Sequence, residues 1–348
     1  AISVIGVLLA AGLAKLWRGL PWAAVGFMAV LTAAVPFTVI GPHYQPPPEL
    51  TAEQLAHIPN GLNGGQGADF GGEMRLLGFE FSPAQVVPGE TLHLTLYWQA
   101  EILMDRNWSI FVHVVDEAGV IAAQRDRYPG AGTLATTLLQ PGQTFADSYA
   151  IVIPDSAYAP AAATLEVGLY DLTDGARLSL ATGGDTQTLA PLTIAARPAE
   201  GVPGLGAIPN PIHRNFANQI ELAGYDMGGR SLRPGETLTV SLYWRALGPI
   251  PVNYSVFVHV RGEGETLWAG QDAWPQQGAA PTSAWRQGEM IVDPYTLTLK
   301  PETPPGQYDV EVGLYDGTTG NRLQVIAADG RPTDLDFVYL SRIHVTAP

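Results

Sequence analysis

The sequence predicts an all-β architecture: two tandem β-sandwich domains, Ig-like or jelly-roll-like, preceded by an N-terminal transmembrane helical hairpin. Three observations predict it. Short runs alternate apolar and polar residues with period two, as strands with one buried face do. The runs recur in the same order in a second copy, seen in TLHLTLYW at 91–98 and TLTVSLYW at 237–244. The first forty residues are almost wholly apolar.

Bulk properties agree. A chain of 348 residues exceeds one ordinary domain of roughly 100–200 residues. The 39 glycines and 29 prolines favour turns and short strands over long helices.

The N-terminal element spans residues 1–40. Ala1 to Ala14 contains only Ser3 as a polar residue, and Pro21 to Ile40 contains no charge. The second run reaches the ~20 residues that a bilayer crossing needs. Lys15 and Arg18 lie between the two runs. A signal peptide would place its charge before a single apolar core, so a hairpin is expected. The positive-inside tendency puts the Lys15–Arg18 turn in the cytoplasm and everything after Gly41 on the opposite side. Trp17 and Trp22 suit the interfacial aromatic belt. The opening on Ala1, with no basic leader, predicts further polypeptide upstream.

Residues 41–57 read as a spacer. Pro46, Pro47 and Pro48 favour stiff extended chain, and Thr51 with Gln54 has the spacing of a capping box opening a short helix. The repeat then sets the units: copy one at 58–196, a Gly- and Pro-rich linker at 197–209, and copy two at 210–348. PGETL at 88–92 returns at 234–238, FVHV at 111–114 at 257–260, and VGLYD at 167–171 at 312–316. Asp126, Asp147 and Tyr149 match Asp272, Asp293 and Tyr295. Leu92, Leu94, Leu96 and Trp98 alternate with polar partners, as do Leu238, Val240, Leu242 and Trp244, so these eight should point inward. FVHV is apolar on both faces and reads as an interior strand.

Several functions are excluded. The net charge of −15 disfavours nucleic acid and anionic lipid as partners. With no cysteine there is no disulfide, thiolate metal site or Cys nucleophile. Seven histidines include no HxH pair or HExxH helix, so neither a metal site nor a cofactor is expected. His113 and His259 are equivalent and read as hydrogen-bonded core histidines, with a ligand or general-base role as the alternative. Asp171, Asp174 and Asp316 read as Asx-turn residues rather than calcium ligands, and Glu90 and Glu236 as solvated. No nucleophile elbow or phosphate-binding glycine loop is present, and no catalytic residue is assigned. Sequons occur at Asn107 and Asn253. The candidate ligand-binding residues are Trp268, Trp274 and Trp285, which copy one lacks at the matching places. Exposed indoles stack on sugars; the alternative is that they cap the sandwich ends.

The YQPPP spacer, IPNPIHRNFANQIELAGYD at 208–226, PGETLTVSLYWRA at 234–246, YSVFVHV at 254–260, PTSAW at 281–285 and VGLYDGTTGNRL at 312–323 form a pattern. It resembles the extracytoplasmic C-terminal tail of bacterial multi-pass glycosyltransferases related to the dolichyl-phosphate-mannose–protein mannosyltransferase family. The resemblance covers nearly the whole chain, more tightly in copy two. It implies a bacterial cytoplasmic membrane and a link to glycan handling. The family's catalytic acids belong to an early loop of a membrane part that does not correspond to these residues.

The expected function is therefore a membrane-anchored, non-catalytic extracytoplasmic module. Its expected partners are the lipid bilayer, through residues 1–40, and a glycan or another protein. One alternative is the C-terminal part of a membrane glycosyltransferase using a polyprenyl-phosphate sugar donor. A second is a structural subunit of a larger membrane or surface assembly.

Overall fold

The computed structural model describes residues 20–35, 38, 45–198, 201–202 and 206–347. Helix α1, Leu20–Val35, has 16 residues, or about 24 Å at ~1.5 Å each, against a hydrocarbon thickness of about 30 Å. Among the described residues no helix is long and apolar enough to cross a membrane. Within the expected span from Pro21 to Ile40 the described residues, up to Val35 and Thr38, are helical, and the expected first span lies outside the described residues.

The spacer does not hang free. Helix α2, Ala52–Ala56, carries the expected capping box: Gln54 N–H donates to Thr51 Oγ1, and Thr51 N–H to the Gln54 side chain. Just before it, Glu49 bridges to Phe145, and Leu50 N–H donates to Thr144 O at 3.2 Å. Leu50 is buried, which is the physical reason the chain docks here.

Copy one forms β1 (Ala68–Phe70), β2 (Met74–Ser82), β3 (Gln85–Val86), β4 (Thr91–Ala100), β5 (Trp108–Asp116), β6 (Ile121–Arg127), β7 (Thr144–Val152), β8 (Ala161–Asp171) and β9 (Gln187–Ile194). The linker forms a small antiparallel ribbon, β10 (Gly201–Val202) with β11 (Gly206–Ala207). Copy two forms β12 (Asn210–Phe216), β13 (Ile220–Gly228), β14 (Ser231–Leu232), β15 (Thr237–Ala246), β16 (Tyr254–Arg261), β17 (Leu267–Ala273), β18 (Met290–Thr298), β19 (Gly306–Asp316), β20 (Val325–Ile326) and β21 (Val338–Val345).

In copy one the sheets have the orders β1-β2-β4-β7 and β3-β9-β8-β5-β6; in copy two, β18-β15-β13-β12-β20 and β14-β21-β19-β16-β17. The short β3 runs parallel to β9, as β14 does to β21, while the long strands pair antiparallel. Each copy closes its two sheets over one core. Leu94, Leu96, Trp98 and Tyr149 from one sheet meet Ile110, Val112, Leu165 and Val167 from the other. Leu238, Leu242, Trp244 and Tyr295 meet Val256, Val258, Val310 and Val312 in the same way. Trp98 and Trp244 are fully buried, as their alternation predicts. Phe70 lies 5.7 Å from the Trp98 ring and Phe216 lies 5.9 Å from Trp244.

A bulge recurs too. The β2–β4 register slips between Leu76 and Gly78, and the β13–β15 register between Leu222 and Gly224. A Cβ on Gly78 would stand 2.5 Å from Ile58 and Pro59, and one on Gly224 would stand 2.5 Å from Ile208. Only glycine admits the chain that crosses there. The tripeptide Ile-Pro-Asn at 58–60 and 208–210 is the repeated signal that the sequence reading passed over.

Candidate functional site

The three predicted tryptophans do not form one surface. Trp285 is 6% exposed, lies in the second core and donates its indole N–H to Ala280 O. It stands where copy one has the buried Leu139, so it plugs the end of the core. Trp268, on β17, is half-buried against Tyr308 edge-to-face at 6.2 Å, with Lys300 Nζ 5.8 Å from its ring. Trp274 is 46% exposed and presents an open indole. It follows β17, six residues past Trp268, or roughly 20 Å along an extended strand.

The histidines lie on the other face of the sheet from the one expected. On β5 the residues Ile110, Val112 and Val114 point into the core, which turns Phe111 and His113 outward. Val256, Val258 and Val260 do the same to Phe257 and His259 on β16. Both outward phenylalanines are nonetheless 1% exposed. Each ring lies over the glycine of VGLYD: a Cβ on Gly168 would be 2.3 Å from Phe111, and one on Gly313 would be 2.4 Å from Phe257. An arginine lies over each ring, Arg177 at 4.7 Å from Phe111 and Arg322 at 4.4 Å from Phe257. Asp185 holds Arg177 at 3.4 Å, and Asp336 holds Arg322 at 3.2 Å. A second, smaller buried layer thus sits outside each sheet, under the connection that follows VGLYD.

His259 stacks on Phe257 with centroids 5.0 Å apart. Its Nε2 is 2.8 Å from Asp272, and its Nδ1 is 3.6 Å from Glu311, which accepts from Arg261 Nε. Burial works against the imidazolium, but the carboxylates of Glu311 and Asp272 outweigh it and hold the His259 pKa above its ordinary value. Burial alone would raise Glu311; His259 and Arg261 hold it below the ordinary range instead. In copy one His113 Nε2 is 3.5 Å from Asp126, and Val115 stands where copy two has Arg261. Among the described residues no hydroxyl hydrogen-bonds either imidazole, and no three His, Asp or Glu side chains group as metal ligands. These charges neutralise one another within the face.

The remaining acids stabilise turns. Asp171 accepts from the Thr173 N–H at 2.8 Å and Asp316 from the Thr318 N–H at 2.8 Å, the Asx pattern expected. The Thr173 hydroxyl, at 2.6 Å, and its N–H hold the Asp171 carboxyl below its ordinary value, and the Thr318 N–H does the same for Asp316. Glu90 and Glu236 are exposed, as expected, and each also accepts a turn N–H, from Val87 at 3.0 Å and from Arg233 at 2.8 Å. Asp147 and Asp293 are buried and accept the hydroxyls of Tyr149 and Tyr295 at 2.6 and 2.8 Å.

The sequence reading missed the contact between the copies. Arg230 of copy two reaches Asp116 of copy one at 2.5 Å, with side chains 6% and 1% exposed. Its guanidinium lies 4.1 Å from the Tyr158 ring, and Tyr158 donates to Asp226 at 3.2 Å. Asn210 accepts from the Ala159 N–H at 3.0 Å, and Gln307 from the Ile121 N–H at 3.2 Å. A cavity of about 210 Å³ lies beside this junction, with Asp116, Tyr158, Ser156, Ser341 and Arg342 in its lining. The available signal was a mismatch within the repeat, Asp116 against Gly262 and Arg230 against Ala84. No family model and no curated protein matches the chain.

Proposed function

We propose that this chain is the extracytoplasmic, ligand- or partner-binding part of a membrane-anchored bacterial envelope protein, with two Ig-like sandwiches forming its body. The observation that carries the reading is helix α1. Val25, Phe27, Val30 and Leu31 are all exposed at 40% or more and lie all round the helix rather than along one stripe. An apolar helix without a polar face is stable only when covered, and a bilayer covers every side at once. Residues 1–40, as one apolar unit, supply the anchor. The Ig-like rather than jelly-roll reading is supported by the short strand that runs parallel to the last strand of each copy.

Of the tryptophans, Trp274 is the proposed contact for a sugar face, with Trp268 and Trp285 supporting the loops around it. Asp171 and Asp316 are engaged in turns and His259 in an ion pair, which supports binding over catalysis. The test uses the full chain in bacterial membranes. Retention through alkaline extraction, with the β modules open to protease from the outer side, is expected; release without detergent overturns the anchor. On a glycan array, Trp274→Ala should weaken binding about tenfold or more while Trp268→Phe retains it. Equal binding by both variants removes Trp274 from the site. An upstream reading frame with many apolar spans and an acidic pair in its first outer loop would place these modules on a polyprenyl-phosphate-dependent glycosyltransferase.

A further inference from the structure

We propose that the end of the first module remote from the junction is a lipid-contacting tip, which seats Ile102, Leu103, Leu138 and Leu172 in the interface of a zwitterionic phospholipid bilayer. The proposal rests on the membrane-anchor reading and adds to it a surface outside residues 1–40.

Three connections meet at this end. Arg106, before β5, reaches Asp171 at 3.2 Å, the last residue of β8, and Asp174 at 3.3 Å, just after it. Thr137 N–H, before β7, donates to Asn107 Oδ1 at 3.2 Å, and Gly142 N–H donates to Ala100 O at 2.7 Å. On these connections Ile102, Leu103, Leu138 and Leu172 are exposed at 47, 62, 70 and 51%. Single exposed leucines are ordinary; four on one loop cluster mark a surface that meets something.

The duplication supplies an internal control. At the four equivalent places copy two carries Gly248, Pro249, Ala284 and Gly317. The plugs beside them stay large and buried in both copies, Met104 and Leu139 against Ile250 and Trp285. The fold therefore needs the plugs and not the exposed side chains.

The position of the chain's entry points to lipid as the occupant. Residues 45–50 run onto this same end, where Thr133 donates to Gln45 O and Glu49 bridges to Phe145. Gln45 is at most roughly 35 Å of chain from Val35 of the apolar helix α1. A bilayer around α1 is within reach of the tip. Strand β5 leads from the tip at Trp108 to the junction at Asp116, about 26 Å away, which keeps copy two at the far end. Exposed Glu49, Asp105 and Asp174 rim the tip, and Arg106 is engaged by Asp171 and Asp174, so anionic headgroups gain nothing there.

The chain lacks cysteine, so single Leu103→Cys, Leu138→Cys and Leu335→Cys variants take an environment-sensitive fluorophore at one place each. Leu335 is an exposed control on copy two. In full chain reconstituted into phosphatidylcholine vesicles, labels at 103 and 138 should emit blue-shifted and be quenched by lipids brominated near the headgroup. The label at 335 should report water. Adding Leu138→Ala and Leu172→Gly, the residues of copy two, should reduce quenching at 103 at an unchanged melting temperature. Aqueous emission at 103 and 138 in chain that still resists alkaline extraction overturns the tip and leaves the anchor standing. Blue-shifted emission that lipid quenchers do not reach means a protein occupant and also overturns it. Release of the chain from the vesicles overturns both readings.

Discussion

Trp98 and Trp244 fill the same place in the two copies, each against an equivalent phenylalanine. Trp244 donates its indole N–H to Asp293 at 3.3 Å, whereas the Trp98 nitrogen has no partner among the described residues. The cause is one position along the sheet. In copy one Arg127 stands 3.4 Å from Asp147 and 4.3 Å from the Tyr149 ring; in copy two that position is Ala273. Asp293 instead takes neutral donors, from Gln276 N–H at 2.6 Å, Tyr295 and Trp244. Both carboxylates accept a tyrosine hydroxyl and a loop N–H, from Gly130 or from Gln276; Asp147 adds the Arg127 cation and Asp293 the Trp244 indole. Duplication has preserved the backbone positions and inward apolar residues while the electrostatics diverged. The copies differ again at the junction, where Asp116 and Arg230 stand against Gly262 and Ala84.

The sharpest way to break this comparison is Arg230→Ala. It leaves the buried Asp116 without its cation, at a cost of about 3–5 kcal/mol. Calorimetry should show a lowered transition, with the two copies melting separately. A double-mutant cycle with Asp116→Gly, the residue that copy two carries, should recover part of the loss. An unchanged melting profile would mean that the pair joins nothing.

Next is the pair Asp147→Asn and Asp293→Asn. The first removes the carboxylate partner of Arg127, which keeps only the Ser148 carbonyl and the Tyr149 ring, and should cost about 1.5–3 kcal/mol in urea unfolding, the second clearly less. Burial pushes both carboxyls above 3.8 despite their donors. A carboxyl with a raised folded pKa weakens the folded state as pH rises through that value, so Asp293→Asn should be best tolerated near neutrality. Equal losses would refute the two modes of compensation.

The smallest effect concerns His259. Its folded pKa is raised above 6.5, so its contribution is complete below that value and fades as pH rises through the folded pKa. His259→Gln should flatten this decline in a series of thermal melts. An unchanged decline in that variant would mean that His259 does not cause it.

Local spacing carried far in the sequence reading. The inward Leu-Leu-Leu-Trp row, the Thr51 capping box and the Asx turns at Asp171 and Asp316 are set by residues within a few positions of one another. The histidines misled because period two names two faces without saying what covers the second one. Arg177 and the chain at Asp185 bury Phe111, and no alternation within β5 encodes that cover. Glu90 and Glu236 are exposed, as expected, and the turn N–H that each accepts is again a contact between near neighbours.

The sequence by itself determined the strands, their inward faces and the duplication, because alternation and turn chemistry act through neighbours in the chain. Only the tertiary structure decided that the three tryptophans are scattered between core, half-buried edge and surface. It alone joined Asp116 to Arg230 across 114 residues and brought the spacer onto β7. Such contacts depend on which surfaces remain uncovered once the sheets have closed, and that is a property of the packed molecule rather than of any short run of residues.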